Sequence, residues 1–503
     1  MTTTTTTTPD HADANPLLAW GTLPAFDAIE VAHVAPALER TLAWSRDELA
    51  DIEAHAASLP AEALVARLER LEDRLGWTWG LVNHLNSVRT SDPLRQAIEA
   101  AQPDVVTFQS RLAQSRPVYL ALKAATEAPG FDALPPAVQR VATLNVRGAE
   151  HSGVGLEGEA LERFNANRQE LARLSLAFGN HVLDATKAFG LTLRDKADVA
   201  GLPASLLGLA SAAARAAGEA DATPADGPWR VTLDYPSFVP FMEHSERRDL
   251  REQLYRAHVT RASAPPYDNG PLVERILELR ADQAKILGFP SFAALSIDAK
   301  MAPEIEAVHA LLEDLRAASY PAAVAELDEL RAFAREAGEE APLELWDMSY
   351  WARRLREARF AYSDEALRPY FPLPAVLDGL FGLATRIFGV TVEASDDVPA
   401  WHDDVRSFLV RGEDGAPVAR FYLDPYSRPA DKRGGAWMNE CVGRSALLAG
   451  PGEAARNPVA YLVCNQSPPI DGAPSLMTFN EVSTLFHEFG HGLQHMLTRV
   501  DHG

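Results

Sequence analysis

Cysteine is nearly missing from this chain: Cys441 and Cys464 are the two among 503 residues. That scarcity excludes a disulfide framework and fits a reducing compartment. Neither has a second Cys or a His at zinc-site spacing, so both are expected to be buried, inert thiols. Positive charge is short as well. Lys and Arg total 47 against 70 Asp and Glu, a formal charge of −23, which disfavours nucleic acid and anionic membrane as partners. No apolar run reaches the roughly 18 residues of a membrane span. The N-terminus has neither the basic nor the apolar region of a signal peptide. Met1–Asn15, a threonine run followed by polar residues, is expected to be a disordered leader. The chain is therefore expected in the cytoplasm, as a monomer. It also lacks a fixed-period repeat and a phosphate-binding glycine loop.

What is present is mostly helical patterning. At 503 residues the chain is too long for one ordinary core. Leu64, Leu68, Leu71 and Leu75 recur at helical spacing among charged residues, and Leu161, Phe164, Leu171, Leu174 and Phe178 repeat the pattern. Both stripes are read as core packing and nothing more. Pro60, Pro93, Pro103 and Pro117 are read as breaks between helices. Residues 212–228, Ala-rich and then Asp/Thr/Pro/Gly-rich, form a loop or linker, followed by a strand-like run at 229–233. Helical pattern returns over 247–287 and 303–341. After Thr391 the character changes. The runs 405–410 and 418–423 flank Glu413-Asp414-Gly415 as a hairpin, and 459–464 is a third strand. The expected division is a leader over 1–15, an N-terminal helical domain over 16–225 and a second domain over 226–503.

The densest chemical signal lies near the C-terminal end: His487-Glu488-Phe489-Gly490-His491, an H-E-x-x-H pentad. At about 100° per residue, the two histidines lie about 40° apart on a helix and Glu488 about 100° from the first. Leu485, Phe489, Leu493 and Met496 fall on the opposite side. Two imidazoles so placed can grip one Zn2+, and Glu488 can act as general base toward a water on that metal. His487 and His491 are therefore the candidate metal ligands and Glu488 the candidate catalytic residue. Gly490 is expected to relieve crowding between the histidines, and Asn480 to be the N-cap. His495 shares the polar face and is expected to be solvated or supporting. His502 is expected to fray. Gln494 stands where a metzincin carries glycine, so that class is discounted.

The segment Phe486–Gly492 followed by Gln494–Arg499 closely resembles the metal helix of bacterial members of the thimet oligopeptidase family of zinc peptidases. The segments 433–438, 421–424, 458–465, 182–186, 255–257 and 260–263 are similar too, and the resemblance runs from about residue 17 onward. It implies a mainly α, two-lobed zincin-type metallopeptidase with a deep channel and a small β-sheet beside the H-E-x-x-H helix. It implies endopeptidic cleavage of short oligopeptides in that channel, with His487 and His491 as zinc ligands and Glu488 as general base. The family's third ligand is a glutamate further beyond the second histidine than this chain extends, and a Tyr/His clamp on the tetrahedral intermediate lies further still. The expectation is a shortened copy of a longer chain with little or no peptidase activity. Each lost oxyanion donor is worth about 3–4 kcal/mol of barrier. The competing reading is a peptide-binding module that keeps the channel and performs no chemistry.

Overall fold

A computed structural model describes residues 15–21, 23–469 and 474–502. The expected leader falls on residues outside these, except Asn15. That side chain caps a short 3-10 turn by accepting from the Leu17 N–H at 3.1 Å and donates to the His33 carbonyl at 2.9 Å. The chain is mainly helical. The first part is α1 (Val34–His55), α2 (Ala61–Val88), α3 (Asp92–Ala113), α4 (Arg116–Glu127), α5 (Pro136–His151) and α6 (Gly158–Ala188). Pro60, Pro93 and Pro117 stand at helix starts, where a missing N–H costs nothing. Pro103 does not end a helix. It lies inside α3, at the loss of one intrahelical donor. Leu64, Leu68, Leu71 and Leu75 are all buried, as their spacing requires. The second stripe divides: Phe164 and Leu174 are buried, whereas Phe178 is 38% exposed.

The middle of the chain contains β1 (Leu191–Leu193), α7 (Ala204–Ala216), β2 (Trp229–Val231), α8 (Tyr235–His244), α9 (Arg248–Val259), α10 (Gly270–Ile286), α11 (Phe292–Asp298), α12 (Ile305–Glu336) and α13 (Met348–Phe360). The expected linker over 212–228 is shorter than the composition suggested. Helix α7 continues to Ala216, and the remainder is a turn whose Ala222 is buried. Alanine-rich sequence favours helix wherever one face can pack.

After α14 (Asp364–Leu367) and α15 (Leu373–Phe388) come β3 (Thr391–Ala394), β4 (Arg406–Arg411), β5 (Pro417–Tyr426), β6 (Trp437–Val442) and β7 (Val459–Gln466), and then α16 (Phe479–Met496). The five strands form one sheet in the order β3-β4-β5-β7-β6. The β5–β7 pair is parallel, with Tyr422 opposite Tyr461, and the other pairs are antiparallel. Both faces are covered. Tyr422, Val459, Tyr461 and Val463 join the core of α1 to α5, while Phe421, Leu423, Ala460, Leu462 and Cys464 join the core of α15 and α16. This explains the unbroken apolar run of β7, since a strand covered on both sides cannot alternate. It also makes β7 an interior strand. The edge beside the pentad helix is β6, which the sequence reading passed over. Its residues Asn439 and Glu440 are exposed and its pattern is not strand-like. No helix among the described residues is long and apolar enough to cross a membrane.

Candidate metal centre

Helix α16 is anchored at its start by a capping box. Thr478, not Asn480, is the N-cap: its hydroxyl accepts from the Glu481 N–H at 3.1 Å, and the Glu481 carboxylate accepts from the Thr478 N–H at 2.7 Å. Glu481 also accepts from the Ser467 N–H at 2.9 Å, which ties the helix start to the end of β7. Asn480 instead donates to the Tyr235 hydroxyl at 3.3 Å. Along the helix, Leu485, Phe489 and Met496 are buried against the sheet. Gly492 is what allows this close approach, because a Cβ there would stand 2.9 Å from Leu462 Cδ2 of β7. Gly490 does not have the role expected for it, since a Cβ there would meet nothing within 4 Å.

His487 and His491 stand on the exposed face, as the helical spacing requires. Their Nε2 atoms are 3.2 Å apart and the ring planes lie at 83°. Two nitrogens at about 2.0–2.1 Å from one tetrahedral ion are separated by about 3.3 Å. The separation of the donor pair therefore matches what one zinc-sized ion requires. Glu488 is 7% exposed and has no hydrogen-bond partner among the described residues. A carboxylate this enclosed keeps its lone pairs for a proton or a water.

His495 is not aimed at this pair. Its Nε2 donates to the Val442 carbonyl of β6 at 3.2 Å, and its Nδ1 lies 3.6 Å from Glu440. His502 is not frayed, because its Nδ1 lies 2.9 Å from Glu69 on α2. Among the described residues no group of three His, Cys, Asp or Glu side chains is poised to hold a metal. Both cysteines are free, Cys464 buried and Cys441 partly so, and burial pushes each thiol up to about 12. Such thiols are inert.

One group of residues, on the α2 side of the sheet, escaped the sequence reading. Asp424 at the end of β5 is fully buried. It accepts from Arg428 at 2.7 Å, from the Lys432 ammonium at 2.8 Å and from the Trp401 indole at 2.9 Å. Lys432 also donates to the carbonyls of Tyr426 at 2.7 Å and Cys464 at 2.6 Å. Burial pushes Lys432 down to about 8 against the opposing pull of Asp424. Burial alone would raise Asp424, but Arg428 and Lys432 outweigh it and hold the carboxyl below its ordinary range. The network pins the loop that leads from β5 into β6. A further bond from the Arg433 N–H to the Ser87 carbonyl at 2.9 Å fixes the same loop against α2. Charged residues in a turn read as solvated surface, so no local signal marked them.

Residues 241–503 match peptidase family M3, and residues 38–161 match the neurolysin/thimet oligopeptidase N-terminal domain. The chain belongs to peptidase family M3. Among M3 relatives, it is 46% identical to organellar oligopeptidase A, chloroplastic/mitochondrial, of Arabidopsis thaliana, over 97% of this chain and 62% of that one. It is 46% identical to the probable cytosolic oligopeptidase A of the same plant, over 98% of this chain and 71% of the relative. Oligopeptidase A of Salmonella typhimurium (strain LT2) is 39% identical, over 97% and 71%. The resemblance is thus not especially bacterial. The chain spans about two thirds of the length of these M3 relatives.

Proposed function

We propose that this M3 member is a zinc-dependent endopeptidase acting on short peptides, with His487 and His491 as metal ligands and Glu488 as general base. The observation that carries the reading is the 3.2 Å separation of the two Nε2 atoms beside a buried, unpartnered carboxylate. When bound, zinc lowers the pKa of a water and polarises a carbonyl. The chain's own residues supply the rest. Glu488 takes a proton from the attacking water and returns it to the leaving amine. The free edge of β6 offers main-chain N–H and C=O groups to an extended peptide. His495 and Glu440 lie on the far end of that edge and help hold β6 against α16. The division of labour between residues 16–225 and 226–503, and a cytoplasmic location, belong to the same proposal.

A second reading, a peptide-binding module without chemistry, draws support from the absence of a third ligand among the described residues. Metal analysis by mass spectrometry and a quenched-peptide assay separate the two. On the zinc reading, purified protein binds zinc with modest affinity, His487→Ala abolishes that binding, and Glu488→Gln retains it. In a form that cleaves peptides, Glu488→Gln lowers turnover roughly 100-fold or more. Zinc uptake unaffected by His487→Ala would refute the ligand assignment.

A further inference from the structure

A cavity of about 400 Å³ opens between the C-terminal part of α6, the ends of α8 and α9, and the loop between β5 and β6. Arg261 and Arg433 line it, together with Tyr235 and Asn465. The chain is strongly acidic, yet these two guanidiniums have no carboxylate partner among the described residues. Arg261 is half-buried and donates to the His258 carbonyl at 3.0 Å and to the Thr186 hydroxyl at 3.4 Å. The Arg433 side chain makes no hydrogen bond with any described residue, while its backbone is fixed by Ser87 and Asn465. Asp234 is the acidic group on the wall, and it already accepts from the Thr232 hydroxyl. Lys432 is committed to Asp424. A fixed backbone at Arg433 and two guanidiniums without a carboxylate partner, facing one cavity, suit a planar anion bound through their remaining N–H donors.

The position of the cavity identifies the anion's source. Tyr235 on its wall bonds Asn480 in the first turn of α16, and Arg433–Gly435 lead directly into β6. At the other end, His495 of α16 meets Val442, the last residue of β6. Helix and edge strand thus run the same way. The cavity lies at their N-terminal ends, and the histidine pair lies between the two ends. A peptide added antiparallel to β6 directs its C-terminus toward the cavity. From Asn480 to His487 the helix rises about 10 Å, which an extended chain covers in about three residues.

Building on the peptidase reading, we propose that Arg261 and Arg433 form a carboxylate subsite for the substrate, about three residues C-terminal to the scissile bond. A free C-terminal carboxylate and an acidic side chain share the required chemistry. The test is fluorescence anisotropy with the full chain and an N-terminally labelled apolar hexapeptide in three forms: free acid, C-terminal amide, and an amide whose last residue is glutamate. The free acid is expected to bind roughly ten-fold tighter than the plain amide. In Arg433→Gln, at an exposed position, and in Arg261→Gln, the acid falls to the affinity of the amide. Recovery of tight binding by the glutamate-ended amide supports the subsite with side-chain carboxylates as ligands, and no recovery supports it for chain termini alone. Equal binding of acid and amide to the parent chain overturns the subsite and leaves peptide binding standing. Failure of all three peptides to bind overturns the peptidase reading and the subsite together.

Discussion

The two glycines of the pentad helix differ in kind, although they stand two residues apart. Gly492 faces Leu462, which is fully enclosed in the core and has nowhere to turn. Gly492→Ala is expected to lower stability by about 1–2 kcal/mol through overpacking. Gly490→Ala adds a methyl group in open space and should raise stability by about 0.5–1 kcal/mol through helix propensity. Thermal melts of the two variants should shift in opposite directions, and a shared direction would contradict this packing. The histidine pair and Glu488 were legible because helix periodicity alone sets their relative angles. The packing of the glycines was not, because it depends on which strand lies underneath.

At the scale of elements, α16 owes its placement to its first turn. Thr478 and Glu481 satisfy each other's N–H groups, and Glu481 also reaches Ser467 beyond β7. Thr478→Ala is expected to cost about 1 kcal/mol. Asn480→Ala, at the position expected from sequence to be the cap, should change stability by less than about 0.5 kcal/mol. Chemical denaturation of both variants measures the contrast. Strand β6 shows the converse difficulty. Its sequence Trp-Met-Asn-Glu-Cys-Val has no clean alternation, since pairing with β7 on one side alone is enough to hold it. The three runs of this sheet that were legible, β4, β5 and β7, carry apolar residues because their neighbours cover them.

At the scale of the molecule, the sheet is shared between two cores, and His84 of α2 packs against its α1–α5 side. Its ring stacks on Tyr461 at 3.7 Å and meets Trp401 edge-on at 4.2 Å. Burial pushes His84 down to about 3; Asp424 opposes the shift and Lys432 adds to it. The unfolded chain, with a histidine near 6.5, takes up this proton first. Stability is therefore full above about pH 6.5 and declines as pH falls toward 3, by at most about 1.4 kcal/mol per unit. Denaturation midpoints between pH 6.5 and 4.5 should fall for the parent chain and fall less for His84→Phe, which keeps a ring and cannot titrate. Equal slopes would place the acid sensitivity elsewhere. Sequence by itself determined the helical class, the existence of the small sheet and the pairing of His487 and His491 on one helix face, because each rests on periodicity within a few neighbouring residues. Only the tertiary structure decided which strand is the edge, which glycine is indispensable, and how Asp424, Arg428 and Lys432 come to share one buried site. Those outcomes depend on burial and on contacts between distant segments, and local patterning carries no record of either.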